Sequence, residues 1–173
     1  MAYTDFLDRA LFHLESLDSL KPTRTAPVAQ ILLIREATTE QLTANPELAE
    51  RACLIRSLML YANDALSESH RLIQDVPGDL AAYLHGMIHR REEDFENARY
   101  WFSRAGELPF FGELQRQSAQ ISEDMAKQLN WDPYLFATLC ERSKYGSRTP
   151  VKTLAALQKA EFTTLLDYLY RAG

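Results

Sequence analysis

The chain has 173 residues, of which 46% are hydrophobic and 25% charged, with a net charge of −5 and a pI near 5.4. That length suits one globular domain with a buried core, and the apolar fraction excludes a disordered chain. The acidic balance excludes a general nucleic-acid or anionic-membrane surface, and no stretch approaches the roughly 20 apolar residues that span a bilayer.

The opening residues, MAYTDFLDRALFHLE, carry Asp5, Asp8 and Glu15 with no basic leader before an apolar run, so no signal peptide is expected. In the same segment Phe6, Leu7, Ala10, Leu11, Leu14 and Leu17 recur at helical spacing and predict a first helix ending before Lys21-Pro22. Pro27 opens a second helix with Val28, Ile31, Leu32 and Leu33. Three further starts pair a capping residue with proline at the first helical position: Asn45-Pro46, Asp132-Pro133 and Thr149-Pro150. Asn63 suits the cap of a helix through Gln74, and Asp79, after Pro77-Gly78, the cap of one from Leu80. Gly106 suits the left-handed residue that closes the helix built on NARYWFSRA. Trp131, just before the Asp132 cap, and Phe136 inside the following helix predict a hydrophobic staple. The pattern is all-α throughout, and residues 1–173 read as a single domain. Cys53 and Cys140 stand far apart without a CxxC pair, which points to reduced cysteines and a cytoplasmic protein.

The middle of the chain repeats itself. Ala65 and Ala98, like Pro77 and Pro109, recur at a period near the roughly 34 residues of a helix-pair unit. Gly86, Ala98, Phe102 and Ala105 stand at small-and-large spacings that let two helices approach closely while Phe102 fills the gap. On these residues the segment of about 45–110 resembles the tetratricopeptide repeat, with Leu84 one residue early, His89 in place of a tyrosine and Pro109 one residue early. The resemblance implies a centre of stacked antiparallel helix hairpins with flanking helices, and a groove between hairpins that holds a partner. The strings SESHRLIQD, LHGMIHRREEDFENARYWF and WDPYLFATLCE are also similar to three signature segments of a family of uncharacterised bacterial and fungal proteins. That resemblance brings no activity. It implies motif positions at His70, His85, His89, Arg90, Arg91, Glu92, Asp94, Asn97, Tyr100 and Trp101, with Glu93 and Glu96 standing where proline and glycine are expected.

The histidines carry the sharpest chemical expectation. On a helix from Leu80, His85, His89 and Glu92 fall within one arc beside the apolar stripe of Leu80, Leu84, Met87 and Ile88. His70 takes a comparable place on the preceding helix, beside Ala65, Leu66, Ser69, Leu72 and Ile73. If those helices are neighbours, His70, His85, His89 and Glu92 converge as a set suited to zinc or another divalent transition metal. Without a metal the same groups suit general acid–base work or an organic ligand, and the structural alternative is hydrogen bonding across a helix interface. HxxxH here lacks the adjacent glutamate of the HExxH proteases. Arg90 and Arg91 read either as a solvated helix end pairing with Asp94 or Glu93, or as an anion site. Trp101 and Phe102 share a core face with Ala98 and Ala105, while Tyr100 points elsewhere and lines a groove with Arg104.

Two functions follow. One is a helical-repeat binding or scaffold module for a protein or peptide; the other is a small enzyme or ligand-binding protein centred on His70, His85, His89 and Glu92. No nucleic-acid or membrane partner is expected, and the acidic exterior fits a monomer or a homodimer equally.

Overall fold

Glycines, prolines and capping side chains divide the chain into short helices, and the computed structural model describes residues 3–43 and 49–171, leaving aside the side chains of residues 11–13. Among the described residues there are eleven α-helices, one 3₁₀-helix and no strand. In order they are α1 (Asp5–Ala10), the 3₁₀-helix (Leu11–Asp18), α2 (Val28–Glu36), α3 (Thr39–Leu42), α4 (Ala49–Ala62), α5 (Leu66–Ile73) and α6 (Asp79–Arg91). Then come α7 (Phe95–Ala105), α8 (Phe111–Ile121), α9 (Glu123–Ala126), α10 (Pro133–Ser143) and α11 (Val151–Arg171). The fold is all-α. No helix among the described residues is long and apolar enough to cross a membrane.

Several boundaries follow from local chemistry as expected. Asp132 Oδ1 accepts from the backbone N–H groups of Tyr134 and Leu135 at 2.9 and 3.0 Å, capping α10 with Pro133 at its first position. Trp131 and Phe136 meet with ring centroids 5.4 Å apart, the staple that fixes the entry angle. Gly106, at φ 63°, takes the left-handed conformation after α7, and its N–H reaches the Phe102 carbonyl.

Other expectations give way to tertiary contacts. The first expected helix tightens into 3₁₀ geometry after Ala10, where its carbonyls serve distant side chains. Ser16 O accepts from Arg91 Nη2 at 3.0 Å, and Leu17 O and Ser19 O accept from Gln158 Nε2 at 3.0 and 2.9 Å. Asn63 does not cap α5; its Nδ2 donates back to the Met59 carbonyl at 2.8 Å and closes α4. Asp79 is the first residue of α6 rather than its cap, since Gly78 at φ 103° makes that turn. Pro27 precedes α2 instead of lying within it, and Thr149 Oγ1 donates to Asp124 Oδ2 at 3.0 Å instead of capping α11. The Asn45-Pro46 start lies outside the described residues.

α4 and α5 form one pair joined by a tight turn, and α6 and α7 form another. α6 packs on both α4 and α5, α10 packs on α7, and α11 runs against α4, α8, α10 and the 3₁₀-helix. Gly86 makes the α6–α7 approach possible, because a Cβ at that position would overlap the Phe102 ring. Ser57 and Ser69 do the same for α4 and α5, each hydroxyl donating to the other's carbonyl at 2.9 and 2.8 Å. α11 and the 3₁₀-helix pack on α4, Glu161 of α11 and Ser16 of the 3₁₀-helix reach the C-terminal arginines of α6, and every residue of α6 from Ala81 to Arg91 is buried. Cys140 is buried and Cys53 half-buried, and both are free thiols.

Candidate functional site

The expected convergence of histidines is present. His70, on α5, meets His85 and His89, on α6, edge to face, with ring centroids 4.9 and 5.2 Å away. The two α6 imidazoles lie one helical turn apart, nearly parallel, at 6.4 Å. His85 is sealed, with 2% exposure, by Trp101 of α7 stacked on it at 4.2 Å. Tyr100 touches Trp101 edge-on at 5.5 Å, and the Arg104 guanidinium lies 5.9 Å from both ring centres. A continuous run of rings therefore leads from the 52%-exposed Tyr100 through Trp101 and His85 to His70 and His89.

Hydrogen bonds assign the nitrogens. His85 Nδ1 sits 3.1 Å from the Ala81 carbonyl one turn back, so it carries the proton and donates. His89 Nδ1 lies 3.1 Å from Glu92 Oε2, while Asn97 Nδ2 donates to its Nε2 at 3.3 Å. Nδ1 therefore faces the carboxylate and Nε2 faces the amide. Burial, followed by the presence of His70, pushes His85 down to about 4, against the pull of the Ala81 carbonyl. His70 is lowered too, by burial and then by His89, with Glu92 pulling the other way. At neutral pH His70 and His85 are uncharged.

The rings pack against one another instead of aiming lone pairs at a common point. Among the described residues no three His, Cys, Asp or Glu side chains are placed to hold a metal ion, so His70, His85, His89 and Glu92 give zinc or another divalent metal no coordination set here. Glu92 is committed to His89, and the Nδ1 of His85 to a carbonyl.

Arg90 and Arg91 overturn the expectation of a solvated helix end or an anion site. They are 2% and 0% exposed, and both face inward. Arg90 makes a two-pronged ion pair with Glu161 of α11, Nη1 donating to Oε1 at 2.9 Å and Nη2 to Oε2. Its guanidinium lies 4.2 Å from the centre of the Phe136 ring. Burial works against that charge, but Glu161 outweighs it and raises the guanidinium further above its ordinary range. The Tyr83 hydroxyl donates to Glu161 Oε1 at 2.8 Å and accepts from Trp131 Nε1 at 2.7 Å, which completes the carboxylate's surroundings. Burial and then Glu161 keep the Tyr83 phenol protonated, well above its usual range.

Arg91 pairs with Asp64 Oδ1 at 2.5 Å and donates to the Tyr61 carbonyl at 3.2 Å. Asp64 holds a left-handed φ of 57°, and its Oδ2 accepts the N–H groups of Thr23 and Arg24 at 2.9 and 3.2 Å. Neither Asp94 nor Glu93 pairs with these arginines, and the carboxylates that do, Glu161 and Asp64, lie elsewhere in the chain.

Glu161 and Asp64 are the polar residues that periodicity alone passed over. The available signal for Glu161 was its place among Leu154, Leu157, Gln158, Leu165 and Leu169, an acidic residue on the buried face of an apolar helix. Trp101 is half-buried over His85 rather than fully in the core, while Phe102 is buried as expected. Comparison with family models, with curated proteins and with solved structures gave no match.

Proposed function

We infer that the protein is a helical-repeat binding module whose recognition surface is the outer edge of the α5–α6–α7 seam, taking a protein or peptide partner. The observation that carries this reading is α11. It lies against α4 and reaches Arg90 and Tyr83 of α6, so a groove between the central hairpins is occupied by the chain itself. On the outer edge of the α5–α6–α7 seam the exposed Tyr100 and Arg104 stand beside the half-buried Trp101 and His70. Tyr100 offers a flat apolar ring, and among the described residues Arg104 has aromatic neighbours but no carboxylate partner. That pairing suits a segment that lays an apolar side chain on Tyr100 and an acidic one against Arg104. The enzyme reading has less to stand on, because His85 is sealed with its Nδ1 on the Ala81 carbonyl and His89 is engaged with Glu92 and Asn97.

Peptides selected from a random library on the wild-type protein test the reading. They are expected to lose at least about tenfold in affinity, about 1.4 kcal/mol, to a Tyr100→Ala/Arg104→Ala variant by titration calorimetry, and nothing to Tyr134→Ala on α10. Peptides that bind both variants equally, or a library that yields no binder, would overturn it.

A further inference from the structure

We propose that the His70–His85–His89 cluster is a proton-operated latch that opens the seam between the α4–α5 and α6–α7 pairs under mild acid. The opening itself needs no partner, whereas its effect on binding rests on the function proposed above.

The latch sits on the joint between the two helix pairs. Within each pair the helices pack extensively, but α5 and α6 share a much smaller interface, and the imidazoles lie across it. The charged and titratable groups facing the cluster are few. From α5 come His70 itself, Glu68, which Arg35 of α2 already engages at 3.7 Å, and the exposed Arg71. α6 contributes His85 and His89, and the turn after it contributes Glu92. α7 presents Asn97, Trp101 and Arg104, the last a further positive charge. α4 meets α5 here through Ser57 and through Cys53, whose thiol burial keeps protonated.

Three bases thus share one carboxylate, which contacts His89 and acts on His70 without touching it. A first proton can be matched by Glu92. A second places like charges on rings in direct contact, with Arg104 nearby and no further anion to answer them. Relief comes by separating α5 from α6. Arg91, paired with Asp64 and bonded to the Tyr61 and Ser16 carbonyls, holds the C-terminal end of α6 to the end of α4, so the pair pivots there and does not fall apart. Opening withdraws His70 from His85 and His89, lets water onto the ring against which Trp101 is stacked, and cuts the ring run that supports Tyr100 and Arg104 at its inner end.

The wild-type protein tests this by pH titration from 8 to 4.5, following the imidazole NMR signals and the tryptophan emission wavelength beside far-UV circular dichroism. The expected result is a red shift of emission between pH 6.5 and 4.5, cooperative in protons, with helicity retained. Trp131→Phe assigns the shift to Trp101, and His70→Gln is expected to abolish its cooperativity. A flat emission over that range, a shift that coincides with loss of helicity, or an unchanged transition in His70→Gln would overturn the latch. Where selected peptides are in hand, their affinity is expected to fall at least about tenfold from pH 7.5 to 5.5 in the wild type only. An opening seen with no peptide binder leaves the latch standing and removes the binding reading, so the two fail separately.

Discussion

Helix α6 buries two kinds of polar side chain within a few residues of each other, and they behave as opposites. At its C-terminal end Arg90 and Arg91 carry permanent charges matched by buried carboxylates, Glu161 and Asp64, each held by further hydrogen bonds. One turn earlier His85, with His70 and His89, fills the seam with rings that stay in place while they are uncharged. The arginine region has its counter-charges built into the chain. The histidine region is conditional. Burial of a polar group therefore says little by itself; what counts is whether its counter-charge is built into the chain or left to the solvent.

The largest effect that would sharpen this contrast is at Glu161. Glu161→Ala leaves the Arg90 charge buried and unmatched, which is expected to cost about 3–5 kcal/mol in urea unfolding, whereas Arg90→Met/Glu161→Leu is expected to recover most of that loss. Next comes the pH response. Above pH 6.5 His85 is neutral in both the folded and unfolded chain and adds no dependence. Between 6.5 and about 4 the unfolded chain binds a proton that the folded one refuses, so stability falls with falling pH, by on the order of 3 kcal/mol across the window. Thermal melts at pH 7.5 and 5 are expected to diverge in the wild type and much less in His85→Gln.

Gly86→Ala tests the packing beneath both regions. Its methyl group overlaps the Phe102 ring, and a loss of about 1–3 kcal/mol is expected from denaturant titration. The smallest change goes the other way. Glu93 sits at φ 63° in the α6–α7 turn, where glycine is unstrained, so Glu93→Gly is expected to raise stability by about 0.5–1 kcal/mol, less whatever its 3.5 Å contact with Lys144 contributes.

How far the sequence could be read depends on how far apart the interacting residues lie. Elements ruled by neighbours were legible: the Asp132-Pro133 start and its Trp131–Phe136 staple, the Gly106 close, and the Gly86–Phe102 approach. The meeting of His70 with His85 and His89 was legible as well, because two adjacent helices with matching angular offsets leave little choice. The burial of Arg90 and Arg91 was not, since their carboxylates lie 71 and 27 residues away and no periodicity links RREED to them. The same blindness hid the role of α11. A long amphipathic helix declares that one face is covered, but the sequence pattern does not say which helices cover it. The break in the first helix has this origin too, for its carbonyls are taken by Arg91 and Gln158.

The reach of α11 also sets a schedule for biosynthesis. Gln158 grasps carbonyls 141 and 139 residues upstream, and Glu161 neutralises an arginine made 71 residues earlier. At ribosomal speeds of about 5–20 residues per second, α6 waits roughly 4 to 14 seconds for its counter-ion. Throughout that wait the nascent hairpins carry an unanswered cation beside uncovered apolar flanks, a combination that attracts chaperones until α11 emerges.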